Sequence, residues 1–222
     1  ALSNKAPAGF GFGDAIQDIA TTSAEESYET YCAKVDAVLD AMPDKTAKLV
    51  RAYPPAVYGN AGTTISLLYK GDANYAVLSN IGSADAGLCG WRMFKLRYPS
   101  SSSPAVWMPF EWEHPPMKIG VEYRTSERYN GKPVYTKLVD CGAGPSNTRK
   151  TVSANTQNVE TPISCTGNFG SGTIPYEWFA GDVSGAQAIT CTFNGQAIEI
   201  AATADYSGWT VFVIVEYTKT TD

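Results

Sequence analysis

Asn130-Gly131 restricts what this chain can fold into more than any other pair of residues in it. A type I′ hairpin turn needs positive φ at both central positions, and Asn-Gly meets that demand with the least strain. Residues 123–129 and 132–139 on either side are strand-like, so the pair predicts an antiparallel hairpin. Gly142, Gly144, Pro145, Ser146 and Asn147 follow as a loop, and residues 148–152 turn extended again.

Downstream, residues 161–168 read as a strand and 173–179 (TIPYEWF) as a strand or an aromatic loop. Ile189, Cys191 and Phe193 alternate with Thr190 and Thr192, a half-buried strand that Asn194-Gly195 turns into residues 196–202. The last run, 210–218, is apolar on both faces, with Val211, Val213 and Val215 on one side and Phe212 and Ile214 on the other. A strand of that kind lies centrally in a sandwich or touches another subunit. Regularly spaced short strands with turn signals predict an antiparallel β-sandwich.

Upstream, one stretch has the helical period. Tyr28, Tyr31, Cys32, Val35, Val38, Leu39 and Met42 form an apolar stripe, with Glu29, Lys34, Asp36 and Asp40 opposite. Ser23 is the expected N-cap, Glu26 completes a capping box, and Pro43 ends the helix. The stripe is short for a coiled coil, so the helix is expected to cover a sheet. Strands are expected at 47–53, 63–69, 75–81, 88–98 and 106–113, and His114-Pro115-Pro116 marks a domain boundary. Gly9-Phe10-Gly11-Phe12-Gly13 lacks the preceding strand of a phosphate-binding loop and reads as lead-in. The start at Ala1-Leu2-Ser3-Asn4 reads as a cut from a longer chain.

With 44% apolar and 18% charged residues the chain can build packed cores. Its net charge of −5, without a basic run, is a poor match to nucleic acid or to an anionic membrane surface. No apolar run is long enough to predict membrane insertion. The five cysteines, Cys32, Cys89, Cys141, Cys165 and Cys191, show no CxxC spacing, so no zinc site and no cofactor are expected. They suit buried thiols in a reducing compartment, with one or two disulfides left open.

No catalytic constellation is apparent. His114, the single histidine, sits in the proline joint, and no nucleophile elbow accompanies it. Glu111 and Glu113 are read as solvated carboxylates on one exposed strand face, and Asp72-Ala73-Asn74 as a turn. Asp182 and Asp205 flank aromatics and are the better candidates for a glycan-cleaving pair. Recognition fits the residues more fully. Tyr176, Trp178, Phe179, Asp182, Asp205 and Tyr206 are the candidate ligand-binding residues, with Asn168 nearby. Sugar C–H faces stack on aromatic rings while carboxylates and amides take the hydroxyls. Trp209 is read as core, and the aromatic cluster could equally serve a subunit contact.

Three stretches carry a resemblance. They are ERYNGKPVYTKLVDCGAGPSNTRKTV from Glu127, the closing Glu216-Tyr217-Thr218-Lys219, and WMPFEWEHPPM from Trp107. Together they resemble the C-terminal region of tail-fibre (receptor-binding) proteins of bacteriophages and prophages, well over residues 107–222 and loosely before. The resemblance implies a mainly β chain: lead-in or shaft remnant 1–22, a knob-like α+β domain with one amphipathic helix over 23–117, and a β-sandwich tip over 118–222. It further implies a homotrimer in the virion, assembled in the host cytoplasm, that binds a bacterial surface glycan or teichoic acid without turnover. Subunit contacts are then expected at the two-sided final strand and the helix stripe. The competing readings are a non-viral carbohydrate-binding module, a glycan-degrading tail enzyme using paired carboxylates, and a purely structural tail connector.

Overall fold

A computed structural model describes residues 17–19, 27–52, 64–83, 90–170, 172–178 and 187–221. The fold is mainly β, and the chain divides into two compact units, residues 1–116 and 117–222.

The first unit contains β1 (Gln17–Ile19), α1 (Tyr28–Asp40), β2 (Thr46–Ala52), β3 (Thr64–Asp72), β4 (Tyr75–Ser83), β5 (Trp91–Arg97), β6 (Ala105–Trp107) and β7 (Glu111–Trp112). β2 to β5 form an antiparallel meander, β1 joins its edge in parallel, and β6 and β7 both pair with β5. Gln17–Ile19, expected in the lead-in, thus belongs to the sheet. The expected cap Ser23 lies outside the described residues. Ser27 does the capping, its hydroxyl accepting the Thr30 N–H at 3.2 Å. Tyr31, Cys32, Val35, Val38 and Leu39 are buried, so the apolar stripe is taken up inside this unit rather than left for a neighbour. Asp36 fastens the helix to the sheet, accepting from Lys95 Nζ at 2.7 Å and Trp107 Nε1 at 2.9 Å.

The single strand expected over 106–113 is two short ones. Pro109 supplies no ladder donor, and the break turns Phe110 inward, 2% exposed, with its ring 5.1 Å from Trp91 and 5.6 Å from Tyr31. The break also changes the two glutamates. Glu111 is 2% exposed and meets Arg92 Nε at 3.2 Å, whereas Glu113 is exposed beyond the strand end. They do not form a solvated pair on one face.

The second unit contains β8 (Glu122–Tyr129), β9 (Lys132–Ala143), β10 (Arg149–Ser153), β11 (Val159–Phe169), β12 (Gly172–Ile174), β13 (Tyr176–Trp178), β14 (Gln187–Phe193), β15 (Ala197–Ala202) and β16 (Thr210–Lys219). Asn130 (φ 50°) and Gly131 (φ 80°) make the β8–β9 turn, as the dipeptide requires. One antiparallel sheet runs β8-β9-β16-β11-β12 and the other β10-β15-β14-β13. Their inner faces share one core, including Val139, Ile174, Ile189, Ile198, Ile200 and Val213. This is the expected β-sandwich.

β16 occupies the middle of its sheet. Val211, Val213, Val215 and Tyr217 are fully buried in the core, while Phe212 and Ile214 on the other face are half-buried. The Tyr217 hydroxyl donates to Glu122, which also receives Lys219 Nζ. The aromatic run 173–179 splits at Pro175, and its two strands belong to different sheets.

Burial pushes the thiols of Cys32 and Cys141 up to about 11. The folded chain therefore keeps these protons where the unfolded chain, with thiols near 9.0, has lost them. Their contribution to stability is complete below pH 9 and is lost as pH rises towards 11. Iodoacetamide at pH 8 should leave both unmodified in the native protein and label both in guanidinium, as read by peptide mass mapping. Native labelling at the unfolded rate would contradict the burial. Cys89 lies outside the described residues.

Candidate ligand-binding site

Three connections gather at one end of the sandwich: β9–β10, β11–β12 and β15–β16. Register places them together, because Thr210 lies opposite Ala143 and Phe169 lies opposite both Gly172 and Val211. The first and third are zipped by backbone hydrogen bonds: Gly144 N–H to Trp209 C=O (2.9 Å), Tyr206 N–H to Pro145 C=O (3.0 Å) and Asn147 N–H to Ala204 C=O (3.0 Å). Ser146 and Asp205 add an antiparallel bridge. Gly144 permits the approach, since a Cβ there would lie 2.6 Å from the Tyr206 carbonyl oxygen. Loops tied to one another in this way hold their side chains in place without a ligand.

Within the zipped pair, a tight turn brings the Trp209 N–H to the Tyr206 carbonyl at 3.0 Å. The turn sends the two aromatics in opposite directions, and the sequence reading had them reversed. Tyr206, expected at the ligand, is 5% exposed, its ring edge-on to Phe169 at 4.9 Å. Trp209, expected in the core, is 50% exposed. Its six-membered ring covers Gly170, where a Cβ would lie 2.1 Å from Cε3 and 2.4 Å from Cζ3. The glycine backbone braces one side of the indole, and much of the remainder faces solvent. The Ser207-Gly208 turn between them is readable in Asp205-Tyr206-Ser207-Gly208-Trp209, but the turn alone does not say which of its two flanking aromatics enters the core.

Asp205 is exposed at the same turn, accepting the Ser207 N–H at 2.9 Å. That N–H, then the Ser207 and Ser146 hydroxyls, hold its carboxyl below the ordinary value of 3.8. It is therefore an anionic acceptor at neutral pH. Asn168 is exposed on β11, opposite Phe212 and Thr173 and two residues before Gly170. Tyr176 and Trp178 sit on β13, their backbones opposite Ile189 and Gln187; their side chains, like Phe179 and Asp182 as a whole, lie outside the described residues. Trp178 and Gln187, paired with each other, lie towards this same end, near where β15 finishes at Ala202. Of the six expected ligand residues, the structure places Asp205 at the surface of the site and removes Tyr206 from it, and it adds Trp209.

The arrangement offers a braced aromatic face beside a fixed negative acceptor and a neutral amide. Such a set can stack on the C–H face of a ring and hold its hydroxyls. His114 is exposed and belongs to the other unit. Among the described residues no helix is long and apolar enough to cross a membrane. No protein-family profile, curated protein or solved structure matches the chain.

Proposed function

We propose that the chain is the tip of a bacteriophage or prophage tail fibre, which binds a bacterial surface glycan or teichoic acid during host adsorption. The observation that carries the reading is the half-exposed Trp209 lying on Gly170 beside Asp205, at the loop-bearing end of a rigid sandwich. Loops on such a scaffold can change specificity without disturbing the core. The function is recognition without turnover, in a homotrimer whose three weak sites act together on a dense surface. The half-buried Phe212 and Ile214, on the face of β16 away from the core, are the surface for subunit contact. With the helix stripe buried in its own unit, that contact does not use it.

The test is adsorption of the purified chain to host cells or to their isolated surface glycan, with solution mass measured by light scattering. Trp209→Ala is expected to weaken binding about tenfold or more per site, as loss of an exposed aromatic anchor does. Its mass should remain three times that of the chain. Unchanged adsorption by Trp209→Ala would remove the site, and a monomer that still binds would favour the single-site carbohydrate module.

A further inference from the structure

The end of the sandwich away from Trp209 holds a cleft of about 700 Å³, between the β10–β11 connection and the β14–β15 turn. Its position follows from register: Val159 pairs with Lys219 at the finish of β16, whereas Trp209 precedes the start of that strand. The volume falls within the range of small-molecule sites. The walls are amides: Gln157 and Asn158 from one side, Asn194 and Gln196 from the other, with Thr156 between and Val159 as apolar floor.

The walls are built rather than loose. Ala154 N–H reaches the Gln196 carbonyl (2.9 Å), Thr156 Oγ1 donates to the Gly195 carbonyl (2.6 Å), and Thr220 N–H reaches the Asn158 carbonyl (2.9 Å). Asn194 Oδ1 accepts both the Gln196 N–H (3.0 Å) and the Ala197 N–H (2.9 Å). Two N–H donors fix which end of that amide is oxygen, so its NH2 remains to donate elsewhere. Gly195 is buried at φ +96°, with the space for a Cβ lying 3.1 Å from Val159 Cγ1. The turn is therefore packed against the cleft floor. Gln157, Asn158 and Gln196 are exposed, and among the described residues no hydrogen bond holds their side-chain amides.

The chemistry of the lining selects a ligand class. No residue lining the cleft is charged. The cations nearby are engaged: Lys137 Nζ on the Asn155 carbonyl at 2.7 Å, Lys132 with Glu160, and Lys219 with Glu122. An anionic ligand would give up part of its water there and find no countercharge in the lining. A side-chain amide both donates and accepts, as does a hydroxyl, so several amides around a small apolar floor match a polyhydroxylated ring.

From this we infer that the amide cleft is a second saccharide site, for a neutral sugar of one or two rings, distinct from the Trp209 end. It rests on the cleft's own residues and stands whether or not the Trp209 end binds glycan. The test titrates the isotope-labelled chain with glucose, galactose, N-acetylglucosamine and, as the anionic control, glucuronate, each to about 100 mM, following side-chain amide resonances. At least one neutral sugar should shift the NH2 signals of Asn194 and Gln196, saturating in the millimolar range expected for a solvent-open site, and glucuronate should not. The Gln157→Ala/Gln196→Ala double variant, altered only at exposed side chains, should weaken that response about tenfold or more, while Trp209→Ala leaves it unchanged. Silence of the cleft amides with all three neutral sugars would overturn the inference, as would an equal response to glucuronate or full binding by the double variant. Loss of glycan adsorption by Trp209→Ala with the cleft response intact would separate the two sites.

Discussion

Gly167→Ala is expected to destabilise the sandwich by about 2–3 kcal/mol and to lower its melting temperature by about 10–20 °C. Gly167 lies on β11 with partners on both sides, Val213 of β16 and Ile174 of β12. A Cβ at this position would lie 2.3 Å from the Phe212 carbonyl oxygen and 3.2 Å from the Val213 Cα. Both are backbone atoms of the central strand, so no rotamer can relieve the clash, and the ladder must spread. Alanine would ordinarily gain about 0.4–1 kcal/mol by stiffening the unfolded chain, and here the clash outweighs that gain. Gly208→Ala is the control, since nothing lies within 4 Å of its added Cβ. A thermal scan showing Gly167→Ala within about 3 °C of the parent, a shift of well under 1 kcal/mol, would mean that the strands are not this close.

The second large effect falls in the first unit. Arg92→Met leaves Glu111, 2% exposed, without the guanidinium that meets it at 3.2 Å. Removing one partner of a buried ion pair typically costs about 3–5 kcal/mol; Arg92 itself is 36% exposed and Glu111 keeps a further interaction, so the loss here is about 2 kcal/mol. Glu111→Gln in the Arg92→Met background should restore more than half of it, because the amide carries no charge to strand. The two single variants and the double form a cycle measurable by urea unfolding. Equal stability of Arg92→Met and the parent would show that the pair is not what neutralises Glu111.

What the residues announce, and what they withhold, follows from how local the governing constraint is. Asn130-Gly131 is legible because its two φ values are a property of the dipeptide itself. The stripe of α1 and the alternation of β16 are legible because burial repeats with the period of the element. The exchange of Tyr206 and Trp209 is not, since both are large aromatics and only the placement of one turn decides which enters the core. Glu111 escapes for a different reason. A carboxylate in a short strand looks solvated until Arg92, on a separate strand 19 residues away in sequence, is found opposite it. The amide cleft carries no motif at all: its walls come from two separate turns, and asparagine and glutamine in turns are the commonest of signals.

The place of β16 has a consequence for biosynthesis. It lies between β9 and β11, yet it follows both in the chain. A nascent chain leaving the ribosome therefore presents β9 and β11 with an empty lane between them, their ladder groups unpaired and their apolar faces wet. The sheet cannot close until residues 210–219 have cleared the exit tunnel, so this unit is completed in one late step rather than strand by strand. Truncation anywhere before Thr210 removes the middle of the sheet rather than an edge. Chains cut short by incomplete synthesis should then fail to fold this unit at all.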